Sequence, residues 1–228
     1  DLVLPRMGGG GAERTTALLS NALTEAGYDV TVLTLVEGES FYSLPPKVSY
    51  NSIGITLWRS SKLGRLISEA MAFPKCLIAI RQLIKKGEFD IVISFLIETD
   101  ILIGLCKLTG IRFRHICSER NDPFRRGKLL QGILNQIYKH SSLFVCQSKM
   151  VAQFYNMVPR DRRIVIPNAV DPSVIPRRPL QTRKRIVAVG KLMQQKNFQL
   201  LINSFSEISH EFDDYVLDIY GEGPLRME

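Results

Sequence analysis

Four short stretches hold residue types that can handle a charged ligand. The first is PRMGGGGAERTT, where Gly8 to Gly11 run directly into a segment of helical periodicity. Glycine lets backbone N–H groups come close to a bulky group, and a helix N-terminus favours an anion. The spacing is not a dinucleotide fingerprint, because Glu13 stands where a third glycine belongs, and no Gly-Lys-Ser/Thr follows as in a P-loop. Taken alone, the loop reads either as a ligand loop or as a tight turn without chemistry. The second stretch is VGKLMQQKNFQLLINSF, with Lys191 and Lys196 five residues apart and Asn197 a predicted N-cap. Two cations beside a helix N-terminus suit a diphosphate. The alternative is two solvated loop lysines. The third is YGEGPLRM, where Gly221, Glu222, Gly223 and Pro224 turn a strand into a loop. The fourth is CSERNDPFRRGK, which places Glu119, Arg120, Asn121 and Asp122 consecutively after a strand. Four hydrogen-bonding side chains exceed what a plain turn needs, although Asn-Asp-Pro is common turn chemistry.

These stretches need a scaffold that brings strand ends together. Apolar strand-like runs at 2–4, 28–35, 47–53, 89–96, 113–119, 143–148 and 163–167 alternate with helix-like segments. The first helix is expected over 12–25, with Ala12, Leu18, Leu19, Ala22 and Leu23 near one face and Gly27 as its C-cap glycine. Residues 62–86 read as helical with a break or fresh start at Pro74. Further helices are expected over 99–110, 127–140 and 149–157, the last capped by Ser148. Strand–helix alternation with near-continuous apolar strands predicts an α/β fold with a doubly wound parallel sheet over 1–167. A linker with three prolines follows over 168–184, and the strand–helix–strand pattern restarts over 185–228.

Composition narrows the functional classes. The 228 residues are 45% hydrophobic and 23% charged, as in soluble globular domains. No run of about 18 uncharged apolar residues predicts a transmembrane helix. Cys76, Cys106, Cys117 and Cys146 are widely spaced and read as reduced core residues, and His115, His140 and His210 are scattered, so no metal site is expected. The net charge of +8 is uneven: residues 111–140 carry +5 and residues 177–196 carry +7. Such surfaces suit phosphates or anionic lipid headgroups, or are simply solvated. Without aromatic stacking motifs or a helix-turn-helix pattern, a nucleic-acid partner is not expected.

The set GGGGAERTTALLSNALTEAGYDVTVLTL, SERNDP, VIPNAVD, VGKLMQQKNFQLLINSF and LDIYGEGP resembles the retaining, nucleotide-sugar-dependent glycosyltransferases of family 4, with the two-Rossmann-domain GT-B fold. The GGxER and SERNDP elements resemble the branch that builds bacterial surface polysaccharides, lipopolysaccharide and lipid-linked glycans. The resemblance implies transfer from a nucleoside diphosphate sugar, a UDP-sugar in the first instance, to a hydroxyl of a glycan or lipid-linked acceptor. It implies no cofactor and no metal, and a cytoplasmic protein. The basic segment 111–140 and the apolar-basic helices of 62–86 suit a peripheral position on an anionic membrane surface, the alternative being that 62–86 packs on the sheet. The resemblance places Gly9, Gly10 and Gly11 beneath the donor diphosphate, and Lys191 and Lys196 as its clamp. It sets Gly221, Glu222, Gly223 and Pro224 near the nucleotide, and Glu13, Arg14, Asn121 and Asp122 on the acceptor side. Two departures matter. Lys191 stands where the family usually has arginine, keeping charge but losing bidentate geometry. No histidine follows the strand ending at Ser118, so Arg120 or Glu119 is left for the catalytic position. The start DLVLP and the two strands of the second unit lead to the expectation of a chain trimmed at both ends. The family's acidic pair is expected beyond Glu228, and this chain alone is expected to have little transferase activity. A non-catalytic nucleotide-sugar-binding protein is the alternative.

Overall fold

The structure is a computed structural model, and it describes residues 1–55, 62–87, 89–170 and 183–227. The chain forms two compact units, residues 1–171 and 172–228. Most of the predicted linker, residues 171–182, lies outside the described residues.

The first unit is built on a seven-stranded sheet, every pairing of which is parallel. Its strands are β1 (Leu2–Leu4), β2 (Thr31–Thr34), β3 (Ser49–Ser52), β4 (Ile91–Phe95), β5 (Arg114–Glu119), β6 (Leu143–Cys146) and β7 (Arg163–Val165). They lie in the order β3-β2-β1-β4-β5-β6-β7. Winding runs one way from β1 to β3 and the other way from β4 to β7, so the chain switches direction between β1 and β4. Loops leaving neighbouring strands at such a switch diverge and open a crevice at the carboxyl ends.

Helices cover the sheet: α1 (Gly11–Glu25), α2 (Lys62–Gly87), α3 (Ile97–Leu108), α4 (Lys128–His140) and α5 (Lys149–Phe154). Alternation along β1 sorts its residues between two cores. Val3 joins Leu33, Val92, Ile80 and Ile103 under α2 and α3. Leu2 and Leu4 join Val32, Phe95 and Ala17 under α1. A third cluster of Tyr138, Phe144, Tyr155 and Leu134 packs α4 and α5 against β5 and β6.

Several local details follow from the sequence. Gly27 has φ +87°, and the Gly27 and Tyr28 N–H groups donate to the Thr24 and Leu23 carbonyls, closing α1 in a left-handed turn. Ser148 caps α5 by accepting from the Val151 N–H at 3.3 Å. Three expectations change. The buried face of α1 is Ala12, Thr16, Ala17 and Ser20; of the predicted face Ala12 is buried and Leu19 and Leu23 pack against the core, while Ala22 is exposed. Small side chains bring the helix close to the sheet, and the hydroxyls are buried because they donate to the Ala12 and Ala17 carbonyls. α2 runs through Pro74 without a break. Proline costs a helix interior about 3 kcal/mol, but Cys76, Ile80 and Ile84 are buried at four-residue intervals just beyond it. Burying that stripe offsets the lost hydrogen bond, and Pro74 itself faces solvent.

The second unit pairs β8 (Arg185–Val189) parallel to β9 (Val216–Tyr220), with α6 (Phe198–Ile208) between them in sequence. Asn197 occupies the position before α6 but makes no side-chain cap; it is left-handed at φ +50°. A 3-10 turn over Gln194–Lys196 must re-aim the chain before α6 starts, and asparagine tolerates that conformation. The loops after β8 and β9 are laced together. The Gly190 and Leu192 N–H groups donate to the Tyr220 and Glu222 carbonyls at 3.0 Å, and the Leu225 N–H returns to the Leu192 carbonyl at 3.2 Å. A Cβ on Gly221 or Gly223 would run into the carbonyl oxygens of Gly190 and Leu192. These glycines are required by backbone contact, not by a left-handed φ.

Replacing exposed Pro74 by alanine restores an N–H donor without emptying the core, and should raise stability by up to about 3 kcal/mol. Denaturant unfolding measures it, and an unchanged midpoint rules out the strained-interior account. Gly221→Ala should push the two loops of the second unit apart at a cost of about 1–3 kcal/mol. Hydrogen exchange at the Gly190 and Leu192 amides should then accelerate; unaltered protection would contradict the lacing.

Candidate functional site

Because every strand of the first sheet is parallel, the loops after β1, β4 and β5 leave from the same edge. The glycine loop follows β1. None of its four glycines has a positive φ. Gly10 is extended, at φ −95°, and precedes α1, where it has no side chain to cap the helix. The Glu13 carboxylate folds back over the loop, where it meets the position a Cβ at Gly10 would take. The segment carrying Phe41 and Tyr42 borders the loop. The Phe41 N–H donates to the Met7 carbonyl at 2.8 Å and the Tyr42 hydroxyl to the Gly10 carbonyl at 3.3 Å. Arg14 is half-buried in the first turn of α1.

The β4–α3 junction is strained. Leu96 has φ +75° and ψ +156°, an unusual conformation for a branched residue. The Asp100 N–H donates to its carbonyl at 3.0 Å, and the Thr99 hydroxyl donates to the neighbouring Phe95 carbonyl at 2.5 Å, so the start of α3 holds the turn.

The loop after β5 contains the sharpest difference from the sequence reading. Glu119 is 2% exposed and does not face the edge. Its Oε1 accepts from the Asn121 N–H at 2.9 Å and from Arg126 at 2.8 Å. Its Oε2 accepts from Arg126 at 2.6 Å and lies 3.1 Å from the hydroxyls of both Tyr138 and Tyr155. The Arg126 side chain is itself only 5% exposed. Burial works against its charge, but hydrogen bonding and attraction to Glu119 outweigh burial and hold its pKa above the ordinary arginine value. Glu119 is thus an anchor for its loop, whereas Arg120 lies on the edge. The Arg120 Nε donates to the Ser118 hydroxyl at 2.9 Å, and its guanidinium donates to Asn168 Oδ1 at 2.5 Å. The guanidinium also sits 5.8 Å from the Phe95 ring centroid, over the end of β4. The Asn121 and Asp122 side chains are exposed, and Asp122 accepts from the Phe124 N–H, starting the turn over Pro123–Arg125.

In the second unit, Lys191 opens the loop after β8 and is exposed. Lys196 ends the 3-10 turn, and its stem folds back beside Gly190, bringing the two lysines to the same loop cluster. Gly221, Glu222, Gly223 and Pro224 form the partner loop, where Glu222 pairs with Arg226. Gly9–Glu13, Arg14 and 120–122 therefore gather at the carboxyl edge of one sheet, with Glu119 turned inward behind them, and Lys191, Lys196 and 221–224 at the carboxyl edge of the other.

The sequence reading missed the buried groups behind the first edge. Asp100, His115 and Cys117 bring an oxygen, a nitrogen and a sulfur within 4.8 Å of one another, a spacing a metal ion could bridge. Asp100 and His115 already have hydrogen-bond partners, Ser94 and Tyr138 among them, so the grouping is a hydrogen-bonded one. His115 is neutral: burial, and then the charge of Lys107, push its pKa down to about 3. Burial pushes the Cys117 thiol well up. A single acid in the apolar run TDILIGL and a histidine inside a strand were the available signals.

Comparison with known proteins bears on the family and the fold. The family model described as Glycosyltransferase Family 4 matches residues 9–174. The chain is 24% identical over 229 residues to a Campylobacter jejuni protein named GalNAc-alpha-(1->4)-GalNAc-alpha-(1->3)-diNAcBac-PP-undecaprenol alpha-1,4-N-acetyl-D-galactosaminyltransferase, covering 99% of this chain and 62% of that protein. It is 22% identical to an uncharacterized glycosyltransferase of Haemophilus influenzae, covering 94% of this chain and 59% of that one. The chain thus spans about 60% of the length of these curated relatives. Among solved structures, S. aureus TarM in complex with Fondaparinux, alpha-GlcNAc-glycerol and UDP superposes with a TM-score of 0.69 at 11% identity, over 99% of this chain and 72% of that one. Sucrose-phosphate synthase from Thermosynechococcus elongatus gives 0.65 at 12% identity, over 97% and 69%. The fold is α/β of the GT-B type. A model match over most of the chain and the parallel-sheet units agree, and the chain belongs to Glycosyltransferase Family 4.

Proposed function

We propose that the chain serves a retaining glycosyltransferase that moves a sugar from a nucleoside diphosphate sugar, a UDP-sugar, to a hydroxyl of a glycan or lipid-linked acceptor. The observation that carries this reading is that Lys191 and Lys196 are both exposed in the segment between β8 and α6, with the start of that segment locked to the loop of Gly221 and Gly223. Charge grows on a departing diphosphate as the glycosidic bond breaks. Two fixed cations and the start of α6 stabilise that charge more than they stabilise the bound donor, which is the condition for catalysis. In this reading the lysines supply the positive charge, and a metal or cofactor is not required. Gly9, Gly10 and Gly11 are assigned to the donor diphosphate on the family resemblance, with Glu13, Phe41 and Tyr42 bordering the loop. Gly221–Pro224 border the nucleotide.

Arg120 is assigned the catalytic position. Its guanidinium is already aimed across the ends of β4 and β5 by Ser118, Asn168 and Phe95. Glu119 is assigned to hold that loop through Arg126. Glu13, Arg14, Asn121 and Asp122 are placed on the acceptor side. The names of the relatives support the substrate classes: one acts on an undecaprenol-linked glycan and one solved neighbour holds UDP. The non-catalytic alternative keeps the same lysines and differs only in turnover.

Calorimetry with a panel of nucleotide sugars on the full-length protein tests the donor. Lys191→Ala should weaken UDP-sugar binding at least tenfold and lower turnover by about 10²–10³, with an unchanged melting temperature. Wild-type binding and turnover in that variant would remove Lys191 from the diphosphate site. Donor binding with no transfer to any lipid-linked acceptor would favour the binding-protein alternative.

A lipid-linked acceptor places the protein at the cytoplasmic membrane face as a peripheral protein. No helix among the described residues is long and apolar enough to cross a membrane. α4 exposes Leu129 (82%) and Ile133 (44%) on one face beside Lys128, and Phe124 (58%) precedes it. Apolar and basic side chains together suit an anionic interface. The helix α2, with Cys76, Ile80 and Ile84 turned inward, is assigned to packing instead. Sedimentation with anionic vesicles should show binding at low salt that weakens at high salt, and Leu129→Glu should reduce it. Failure to bind at low salt would contradict the membrane assignment.

A further inference from the structure

Behind the candidate edge runs a chain of buried polar groups to which the proposed transfer gives no task. It starts at His115 on β5 and passes to Ser94 on β4, 2.8 Å from the ring Nε2. Ser94 Oγ is 2.5 Å from Asp100 Oδ1 on α3, and Asp100 Oδ2 is 2.8 Å from the Tyr138 hydroxyl on α4. The same hydroxyl lies 3.1 Å from Glu119 Oε2. All five residues are at most 2% exposed.

Counting hydrogens decides the charges. Tyr138 touches one carboxyl oxygen on each side and has one proton to give. If Asp100 and Glu119 were both ionised, one of those contacts would join two oxygens with no hydrogen between them, in an interior where that is costly. One carboxyl must therefore carry a proton. Glu119 faces the Arg126 guanidinium in a two-pronged contact and also takes the Asn121 N–H, the setting of an anion. Asp100 hydrogen-bonds only the two hydroxyls. We propose that Asp100 is a neutral carboxylic acid in the folded protein, that it donates its proton to Tyr138 so that Tyr138 donates to Glu119, and that this directed chain positions the Glu119–Arg126 clamp and the Arg120 loop.

With that one proton every donor in the chain has a single acceptor. The His115 Nε2–H gives to Ser94, Ser94 to Asp100 Oδ1, Asp100 Oδ2–H to Tyr138, and Tyr138 to Glu119. The surroundings favour it. Complete burial raises the Asp100 pKa well above the ordinary carboxylate value, and the Glu119 charge adds to this, against the two hydrogen bonds and the more distant Arg126. The other titratable neighbours are His115 and Cys117 on β5 and Tyr138 on α4, and Lys107 on α3 acts on His115 and Cys117; His115 stays neutral and the Cys117 thiol protonated.

The sign of the pH dependence follows. An aspartate in the unfolded chain ionises above about pH 3.9, while Asp100 in the folded chain keeps its proton. Unfolding then releases a proton, and the folding constant falls about tenfold per pH unit as pH rises, until the folded acid itself ionises. His115 acts oppositely. Its folded pKa of about 3 lies below the ordinary 6.5, so its contribution is lost as pH falls below about 6.5. Titrations shared by wild type and variant, that of His115 included, cancel in the ratio of their folding constants, which is read in the window of about pH 6.5 to 8, below ordinary thiol ionisation.

Asp100→Asn keeps the shape, the neutrality and an N–H towards Tyr138. By denaturant unfolding it should be at least as stable as wild type at pH 8. The ratio of the two folding constants should change by about tenfold per pH unit across the window. A less stable variant with a flat ratio overturns the neutral acid. An infrared difference spectrum of wild type against Asp100→Asn at pH 7 should contain a carboxylic-acid carbonyl band; a carboxylate band in its place also overturns it. The value of the chain to the Arg120 loop rests on the proposed transfer site, but the unfolding and infrared results do not, so the two readings fail separately. For positioning, hydrogen exchange at the Asn121 amide should accelerate in Asp100→Ala and Tyr138→Phe and be restored in Asp100→Asn. Equal protection in all three would overturn the positioning role.

Discussion

Five donors converge on one buried carboxylate, and the candidate edge of the first unit depends on that convergence. Glu119 ends β5, Arg126 precedes α4, Tyr138 lies within α4 and Tyr155 closes α5. A buried charge of this kind contributes little net stability, yet removing one partner costs about 3–5 kcal/mol because the other is left uncompensated. It therefore specifies arrangement more than it stabilises. The loop from Arg120 to Arg125 is tied at both ends by one side chain, and Arg120 is left to reach outward. The aromatic rings around the anchor stack edge-on, with Tyr138–Tyr155 centroids 5.2 Å apart and Phe144–Tyr155 centroids 5.0 Å apart. Hydroxyls meet the carboxylate while rings fill the core, so polar and apolar requirements are met by the same residues.

Much of this architecture was legible in the order of residues. Near-continuous apolar strands separated by helical periodicity carry the parallel sheet, because a parallel sheet buries both faces and leaves no polar alternation to read. Gly27 and Ser148 were legible because their roles are local: a left-handed turn and a hydroxyl three residues from an N–H. Pro74 and Asn197 misled for the complementary reason. The proline penalty is local, but burial of Ile80 and Ile84 is not, and tertiary packing outweighs it. Asn197 is a good cap by type, yet the preceding 3-10 turn fixes its backbone where its side chain cannot cap.

The site divided along the same line. Loops at strand ends could be read because the edge follows from topology once strands are parallel. Which polar residue faces outward could not. Glu119, Arg120, Asn121 and Asp122 look alike in sequence, and only the partners Arg126, Tyr138 and Tyr155, up to 36 residues away, draw the first of them inward. Ser94, Asp100 and His115 formed no motif at all, since they stand on three different elements.

The position of β1 has a consequence for how the chain is made. Its three residues pair with β2 on one side and β4 on the other, Leu2 standing opposite both Val32 and Ile93. The β2 partner emerges from the ribosome soon after β1, but β4 lies about 90 residues later, which at about 5–20 residues per second is a wait of some 5–20 s. Throughout that time the central strand of the future sheet is an edge, apolar on both faces and open along its hydrogen-bonding side, the form of strand most prone to pair wrongly. The strand becomes a stable centre only when both true neighbours and the helices α1 and α2 have closed around it.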